Sequence, residues 1–191
     1  MGLKEEIEKY VPYNEQEVVD KEMMLYYINL FEDVLTRENK TCHFSASSWI
    51  VNKDKTKVLM VYHNIYDSWC WTGGHADGDE DLRHVAIKEL TEETSLKNFK
   101  LLDDSMVSLE VLPVVSHIKR GKFVPTHLHL NCTYLIEADE NEELQIKEDE
   151  NKAVKWINIE DIEKMVSEPH MIPIYRKINE KIKVGGSKWK Y

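Results

Sequence analysis

Hydrophobic residues near the amino terminus recur every three or four positions, which is the period of a helix with one buried face. They are Val18, Val19, Met23, Met24, Tyr27, Ile28 and Phe31. This spacing predicts helical structure over residues 3–38. Because an amphipathic helix must bury its apolar face, we interpret residues 1–38 as a helical N-terminal extension packed against the rest of the protein.

From residue 41 onward the pattern becomes that of strands. Residues 43–51 have a period of two, residues 57–62 are apolar after Lys57 and predict a buried strand, and the polar residues between the two predict a hairpin loop. Further strands are predicted at 126–137 and 154–159, and the alternation in the first of them places His127 and His129 on one face. Helices are predicted at 161–166 and 174–183, and Ile174, Ile178 and Ile182 would form the apolar face of the second. The order predicts an α/β fold around a mixed sheet. We expect one domain over residues 1–191, with the core and C-terminal helices in residues 39–191.

Composition and charge narrow the range of partners. The chain has 191 residues, of which 42% are hydrophobic, and this is enough for one domain with a buried core. Its formal charge is −10, from 35 acidic and 25 basic residues. Polymeric nucleic acid normally binds a basic surface, so the charge argues against such a partner. A small anionic substrate would need a cation to approach so acidic a protein, which favours a metal-dependent reaction.

The three cysteines, Cys42, Cys70 and Cys132, are an odd number and lie far apart in the sequence. We expect free, mostly buried thiols rather than disulfides, as is typical of a reducing compartment. The amino terminus lacks the basic and apolar regions of a signal peptide, and the apolar runs are too short to span a bilayer. These features predict a cytoplasmic protein with no membrane partner.

Three carboxylates, Glu89, Glu92 and Glu93, fall within one helical turn, where residues three and four apart share a side of the helix. Acids this close repel one another, and a divalent cation among them would relieve the repulsion. Their oxygen ligands suit Mg²⁺ or Mn²⁺. Acid-rich helix faces are more often solvated surface. A preceding glycine turn, Gly73–Gly74, and an adjacent apolar stripe nevertheless favour a site here.

Residues 74–96 resemble the Nudix box, whose pattern is G-x5-E-x7-R-E-U-x-E-E-x-G-U, with U a bulky aliphatic residue. Seven of the nine defined positions match in register, namely Gly74, Glu80, Glu89, Leu90, Glu92, Glu93 and Leu96. Lys88 replaces the arginine, and it keeps the charge without the planar fork, so its hold on a carboxylate should be looser. Ser95 replaces the last glycine. A left-handed backbone there would cost serine about 1 kcal/mol.

The resemblance implies an α/β/α sandwich around a mixed β-sheet, preceded here by the N-terminal helical extension. It also implies hydrolysis of a diphosphate linkage in a small molecule, typically a nucleoside diphosphate joined to another group, and homodimers are common among such enzymes. Mg²⁺ or Mn²⁺ would be held by Glu89, Glu92, Glu93 and the backbone carbonyl of Gly74. The general base would be Glu89 or Glu92, or a residue outside the box.

Outside the box, Glu150 is the strongest candidate for a catalytic carboxylate, because many Nudix proteins carry an acidic residue in the loop before the last strand. The alternative for Glu150 is a solvated acidic loop. Glu137, at the end of the preceding strand, is a rival for the same role and a candidate for substrate binding. His75 and Arg120 are further candidates for substrate binding. For Arg120, ordinary surface charge is the interpretation we prefer.

Two other functions remain open. His43-Phe-Ser-Ala-Ser-Ser-Trp49 and Gly73-Gly-His75 are similar to a strand and a turn of isopentenyl-diphosphate isomerase, a relative with the same fold. However, Gly73 stands where that enzyme has its catalytic cysteine, and the isomerase has a degenerate box. We therefore interpret His43, His127 and His129 as ordinary strand residues rather than metal ligands. A catalytically inactive Nudix-fold binding module is the third interpretation, and the intact glutamates argue against it.

Overall fold

The structure is a computed structural model that describes residues 2–119 and 121–184. The strands are β1 (Cys42–Val51), β2 (Lys57–His63), β3 (Ser68–Cys70), β4 (Thr72–His75), β5 (Phe99–Leu101), β6 (Ser108–Val114), β7 (His117–Lys119), β8 (Lys122–Val124), β9 (His127–Ala138) and β10 (Asn151–Asn158). The helices are α1 (Leu3–Lys9), α2 (Glu15–Leu30), α3 (Leu82–Thr94), α4 (Ile162–Met165) and α5 (Ile172–Val184). A 3₁₀ turn at Ile159–Asp161 precedes α4.

The main sheet has the hydrogen-bonded strand order β10–β2–β1–β9–β5. Strand β3 adds to β2, β4 to β1, and β6 to β9, whereas β7 and β8 form a separate ribbon. The chain also contains five α-helices in its described part, and two of them precede the sheet in the sequence. The predicted α/β class with an N-terminal helical extension is therefore confirmed. Within the described residues, none of the helices combines the length and the hydropathy needed to cross a bilayer.

The chain divides into two compact units. The first unit comprises Met1–Ser47, Gly73–Ile87 and Asp104–Tyr134, and the second comprises Ser48–Thr72, Lys88–Asp103 and Leu135–Tyr191. By these ranges β1, α3 and β9 each contribute residues to both units. Each unit has its own buried apolar side chains and its own group of polar side chains, and each is described by itself below.

In the first unit, α1 and α2 contact each other, and α2 contacts β6. The N-terminal helices are shorter than the predicted 3–38. Asn14 interrupts the run, because its side chain accepts a hydrogen bond from the Glu17 amide at 3.0 Å and caps a new helix. Helix α2 ends at Leu30. The turns that follow are held by polar side chains, such as the Asn39 amide, which donates to Asp33 at 2.9 Å.

In the second unit, β2 lies between β10 and β3, and both pairings are antiparallel. Trp49 on β1 is fully buried, and its indole N–H donates to Asn179 of α5 at 3.1 Å. The ring of Tyr175 lies 5.0 Å from that of Trp49. On the predicted apolar face of this helix, Ile178 and Ile182 are buried and Ile174 is half-buried. These contacts anchor α5 on the strands of the second unit.

The backbone at Ser95, directly after α3, is left-handed with φ of 60°. This is the conformation predicted for the position at which the Nudix pattern has glycine. Because a side chain destabilises this conformation, we expect Ser95→Gly to increase the free energy of unfolding by about 1 kcal/mol. Urea denaturation at neutral pH measures the change. Ser95→Ala is the matched control, since it removes the hydroxyl and keeps the strain, and equal stability of the two variants would contradict the account.

Candidate active site

Helix α3 carries the three glutamates of the sequence motif, and the loop before it supplies the helix cap. The Asp81 carboxylate accepts a hydrogen bond from the His84 amide at 3.1 Å, and the Asp79 carboxylate accepts one from the Asp81 amide at 2.9 Å. The carboxylates further along α3 differ in exposure: Glu93 is 3% exposed, Glu89 is half-buried and Glu92 is exposed. A nearly buried glutamate is uncommon and requires partners.

Glu93 has such a partner in the second unit. The side-chain amide of Asn151, the first residue of β10, donates to the Glu93 carboxylate at 2.9 Å. The amide oxygen of Asn151 is also buried and accepts no hydrogen bond within the described residues. A buried acceptor beside a buried carboxylate is a costly arrangement unless a cation or a donor completes it.

Lys147 connects the motif to the acidic loop before β10. Its ammonium lies 3.2 Å from the Glu92 carboxylate and 3.1 Å from that of Glu150. Burial lowers the pKa of Lys147, but hydrogen bonds to Glu150 and Glu92 outweigh this effect and hold the pKa well above its usual value. The sequence left two interpretations of Glu150, a catalytic carboxylate or part of a solvated acidic loop. In the structure Glu150 and Glu92 share Lys147 as an ion-pair partner.

The pKa of Glu89 is raised, mainly by burial and then by the charge of Glu92, with a further contribution from Glu150. Lys147 and Lys88 oppose this shift. We call Glu89, Glu92, Glu93 and Glu150 the carboxylate cluster. Its excess of negative charge over the two lysines, together with the unsatisfied amide oxygen of Asn151, suits a hard divalent cation with oxygen ligands. The donor set fits Mg²⁺ or Mn²⁺ and does not resemble a nitrogen or sulfur site.

Lys88, which stands where the Nudix pattern has arginine, holds its carboxylate partner only loosely, as predicted. Lys88 lies 3.8 Å from the Glu92 carboxylate, and both side chains are well exposed. An exposed pair at this distance contributes little to stability. The same carboxylate is held more closely by Lys147, so the orientation of Glu92 depends on the acidic loop rather than on the box.

Other predicted site residues lie elsewhere. Gly74 and His75 belong to β4 in the first unit, and the assignment of the Gly74 carbonyl as a metal ligand stays a prediction that rests on the resemblance. Glu137 on β9 forms an ion pair with Lys100 at 2.9 Å, opposite it on β5. A substrate-binding role for Glu137 would require it to leave this partner. Arg120 lies outside the described residues.

Four histidines of the first unit lie together, which the sequence interpretation of ordinary strand residues did not anticipate. They are His43 on β1, His75 on β4, and His127 and His129 on β9, and we call them the histidine cluster. The ring of His43 lies 4.7 Å from that of His127 and 5.1 Å from those of His75 and His129. The Nε2 atoms of His127 and His129 are 3.2 Å apart.

Three histidines of the cluster, His43, His75 and His129, have lowered pKa values. Burial lowers the pKa of His75 to about 3, and the neighbouring His43 adds to the effect. Burial also lowers the pKa of His129 far below its usual value, followed by the charges of His75 and His43. The pKa of His43 is lowered by burial as well, against a hydrogen bond to Asn39. Protonation of one ring therefore opposes protonation of the next.

One signal for this cluster was present in the sequence. The period-two pattern placed His127 and His129 on one face of a strand, and the structure confirms this placement. The positions of His43 and His75 depend on how β1 and β4 pair, and strand pairing over long sequence separations cannot be read from periodicity. Lys147 and Asn151 were missed for the same reason.

Comparison with known proteins identifies the family. A model of the NUDIX domain matches residues 41–178 of the chain. The chain belongs to the NUDIX family. The RNA pyrophosphohydrolase of Pelagibacter ubique (strain HTCC1062) is 30% identical over 139 residues, which are 70% of this NUDIX protein and 87% of that one. The resemblance seen in residues 74–96 and the predicted enzyme class, a Nudix pyrophosphohydrolase, are thereby confirmed.

Solved structures with the same fold are more distant in sequence. An Ap4A hydrolase from C. elegans in a binary complex matches with a TM-score of 0.56 at 21% identity, covering 74% of this NUDIX protein and 98% of that chain. A NUDIX-family hydrolase from Clostridium perfringens matches with a TM-score of 0.53 at 22% identity, and the match covers 73% of this NUDIX protein and 97% of that chain. At this identity the likeness supports the Nudix-like fold and nothing finer.

Proposed function

We propose that this chain hydrolyses a diphosphate linkage in a small molecule, a nucleoside diphosphate joined to another group, with the help of Mg²⁺ or Mn²⁺. The observation that carries the proposal is the carboxylate cluster. Glu93 is buried against Asn151, and Glu92 and Glu150 share Lys147, so the carboxylates are held in place before any substrate binds. Preorganised charge of this kind is typical of active sites.

Within the second unit, Glu89, Glu92 and Glu93 are the residues that we propose to hold the cation. A bound Mg²⁺ supplies positive charge to the phosphate oxygens and lowers the pKa of a water molecule. The buried amide oxygen of Asn151 is a further oxygen donor beside Glu93. The side-chain amide of Asn151 donates to the Glu93 carboxylate and so helps to orient it.

One carboxylate of the cluster would also accept the proton, and if Glu89 has this role the cation is held by Glu92 and Glu93. Hydrolysis forms a bond between a water oxygen and phosphorus, breaks the bond from phosphorus to the bridging oxygen, and transfers the water proton to a base. Glu89 is our first choice for that base, because burial and the charge of Glu92 raise its pKa and make its carboxylate a better proton acceptor. Glu150 is the alternative base in the same cluster.

The backbone around Gly73 argues against the isomerase. A Cβ atom at this position would lie 2.5 Å from the Ala46 carbonyl oxygen and 2.6 Å from the Ser47 hydroxyl. Contacts this short with a backbone atom require the strands to move. Because the isomerase carries its catalytic cysteine here, this chain lacks both the thiol and the space for it. The gathered carboxylates likewise favour an active hydrolase over a binding module.

The names of the relatives suggest which substrates to test. One relative is called an RNA pyrophosphohydrolase and a structural neighbour is an Ap4A hydrolase. The charge of −10 favours small molecules over an RNA chain. We also propose that the enzyme works in the cytoplasm, and the three buried free cysteines support a reducing compartment.

The proposal is tested with a substrate panel that contains dinucleoside polyphosphates, nucleoside diphosphate sugars, ADP-ribose and RNA with a 5′-polyphosphate end. We expect turnover of at least one small molecule with Mg²⁺ or Mn²⁺, and none in the presence of a chelator. Turnover of RNA alone would contradict the predicted substrate class. Isomerisation of isopentenyl diphosphate without hydrolysis of any substrate in the panel would contradict the hydrolase itself.

Lys147 competes with a cation for Glu92 and Glu150, so its removal should strengthen cation binding. We expect Lys147→Met to tighten Mn²⁺ binding about fivefold, a difference of ~1 kcal/mol. Calorimetric titration of Mn²⁺ into the full chain measures the affinity. Lys164→Met is a matched control in the same unit, because Lys164 pairs with Asp161 and not with the carboxylate cluster. Weaker binding in the Lys147 variant would instead mean that the lysine positions the carboxylates.

A further inference from the structure

We propose that the histidine cluster binds one divalent transition-metal ion of the zinc class, with His43, His75 and His129 as ligands and His127 as the fourth nitrogen. All four residues belong to the first unit, and they come from three strands. The proposal does not rest on the hydrolase activity, whose cation we assign to carboxylates of the second unit.

The nitrogen atoms are close enough for a common ion. One ring nitrogen from each of His43, His75 and His129 lies within 4.8 Å of the other two. The Nε2 atoms of His127 and His129 are 3.2 Å apart. Zinc–nitrogen bonds of about 2.0–2.1 Å in a tetrahedral site separate the nitrogens by about 3.3 Å. The nitrogens of His127 and His129 already have this spacing, and those of His43, His75 and His129 lie within 4.8 Å of one another.

His43 is oriented as a metal ligand would be. Its Nδ1 atom lies 3.0 Å from the Asn39 carbonyl oxygen and can only donate to it, so Nε2 carries the lone pair. Nε2 is buried and has no hydrogen-bond partner among the described residues, and His43 as a whole is only 4% exposed. A backbone carbonyl on one ring nitrogen and an open lone pair on the other is the usual arrangement of a metal-binding imidazole.

His127 repeats this arrangement. Its Nδ1 atom lies 2.8 Å from the Pro125 carbonyl oxygen, which leaves Nε2 directed at His129. Two of the four imidazoles are thus fixed by the backbone with their second nitrogens in the cluster. Four packed rings without an ion are the alternative, but they leave the buried Nε2 of His43 without a hydrogen-bond partner among the described residues.

The donor set selects the kind of ion. Imidazole nitrogens favour Zn²⁺, Co²⁺, Ni²⁺ or Cu²⁺ over Mg²⁺, whereas the carboxylate cluster has the reverse preference. His75 and His129 are half-buried rather than sealed, so an ion can enter from solvent.

The test uses the untagged full chain, stripped with a chelator and then titrated with Co²⁺ or Zn²⁺ in excess Mg²⁺, which keeps the carboxylate cluster occupied. We expect one Co²⁺ per chain with the visible absorption of a nitrogen-ligated site, and a higher melting temperature with Zn²⁺. The same result is expected for Glu93→Gln, since its carboxylate is not a ligand. His129→Gln and His43→Gln should each weaken binding by about 100-fold or more while circular dichroism shows a folded protein.

His84→Gln is the matched control, because His84 is exposed and pairs with Asp79 rather than with the cluster. It should bind Co²⁺ as the wild type does. Stoichiometric binding that survives in both cluster variants would overturn the proposal, and so would a stripped wild-type chain that takes up no Co²⁺ or Zn²⁺ in the presence of Mg²⁺. If a cluster variant fails to fold, uptake and the absorption spectrum of the wild type alone still decide whether a nitrogen site exists.

Discussion

Replacing Glu93 by glutamine is expected to lower kcat/KM for the diphosphate substrate by about 10³-fold, since the variant loses a ligand charge at the reacting centre. The glutamine keeps an oxygen that can accept the hydrogen bond from Asn151. It is also nearly the same size as the glutamate that it replaces in a position only 3% exposed. The change should therefore act on catalysis and leave the fold intact. Steady-state kinetics at saturating Mg²⁺ measures the loss.

Glu143→Gln is the matched control for this variant. Glu143 is an exposed residue of the same acidic loop that carries Lys147 and Glu150. Glu143→Gln removes one negative charge, as Glu93→Gln does, so a long-range effect of net charge would appear in both variants. Equal activity of Glu93→Gln and the wild type would show that the buried glutamate has no part in the reaction.

Replacing Trp49 by alanine is expected to lower the free energy of unfolding by about 3–5 kcal/mol, the usual cost of truncating a fully buried aromatic side chain. Trp49 is 0% exposed, its indole N–H donates to Asn179 at 3.1 Å, and its ring packs against Tyr175. The variant would lose this packing and leave the Asn179 oxygen without its donor. Urea denaturation followed by circular dichroism measures the change.

Trp49→Phe separates the two contributions. It keeps a buried ring and removes the N–H donor, so we expect a smaller loss of about 1–2 kcal/mol. Unfolding of the alanine variant at the same urea concentration as the wild type would contradict the inference that Trp49 anchors α5.

Local periodicity predicted the part of the site that lies on one helix. Glu89, Glu92 and Glu93 share a side of α3 because they lie three and four residues apart, and this required no knowledge of the fold. The left-handed backbone of Ser95, directly after α3, was predicted from the Nudix pattern, because a glycine at the end of a helix in such a pattern marks a left-handed conformation. Such features follow from hydrogen bonds and torsion angles within a few residues.

The remaining parts of the sites depend on contacts between distant segments. Lys147 and Glu92 are 55 positions apart, and their contact depends on the position of the loop before β10. The histidine cluster needs three strands to pair in one register, and only the shared face of His127 and His129 could be seen in advance. The interruption after α1 could have been recognised, since Pro12 and the capping residue Asn14 are both ordinary signals for a helix boundary.

Metal-dependent attack of water on phosphorus is tested most directly by hydrolysis in H₂¹⁸O, with mass spectrometry of the products formed by the wild-type chain with Mg²⁺. We expect one ¹⁸O atom on a phosphoryl product, formed only when the divalent cation is present, because water attacks phosphorus to break the diphosphate linkage. Products without ¹⁸O, or products formed equally in a chelator, would contradict the account.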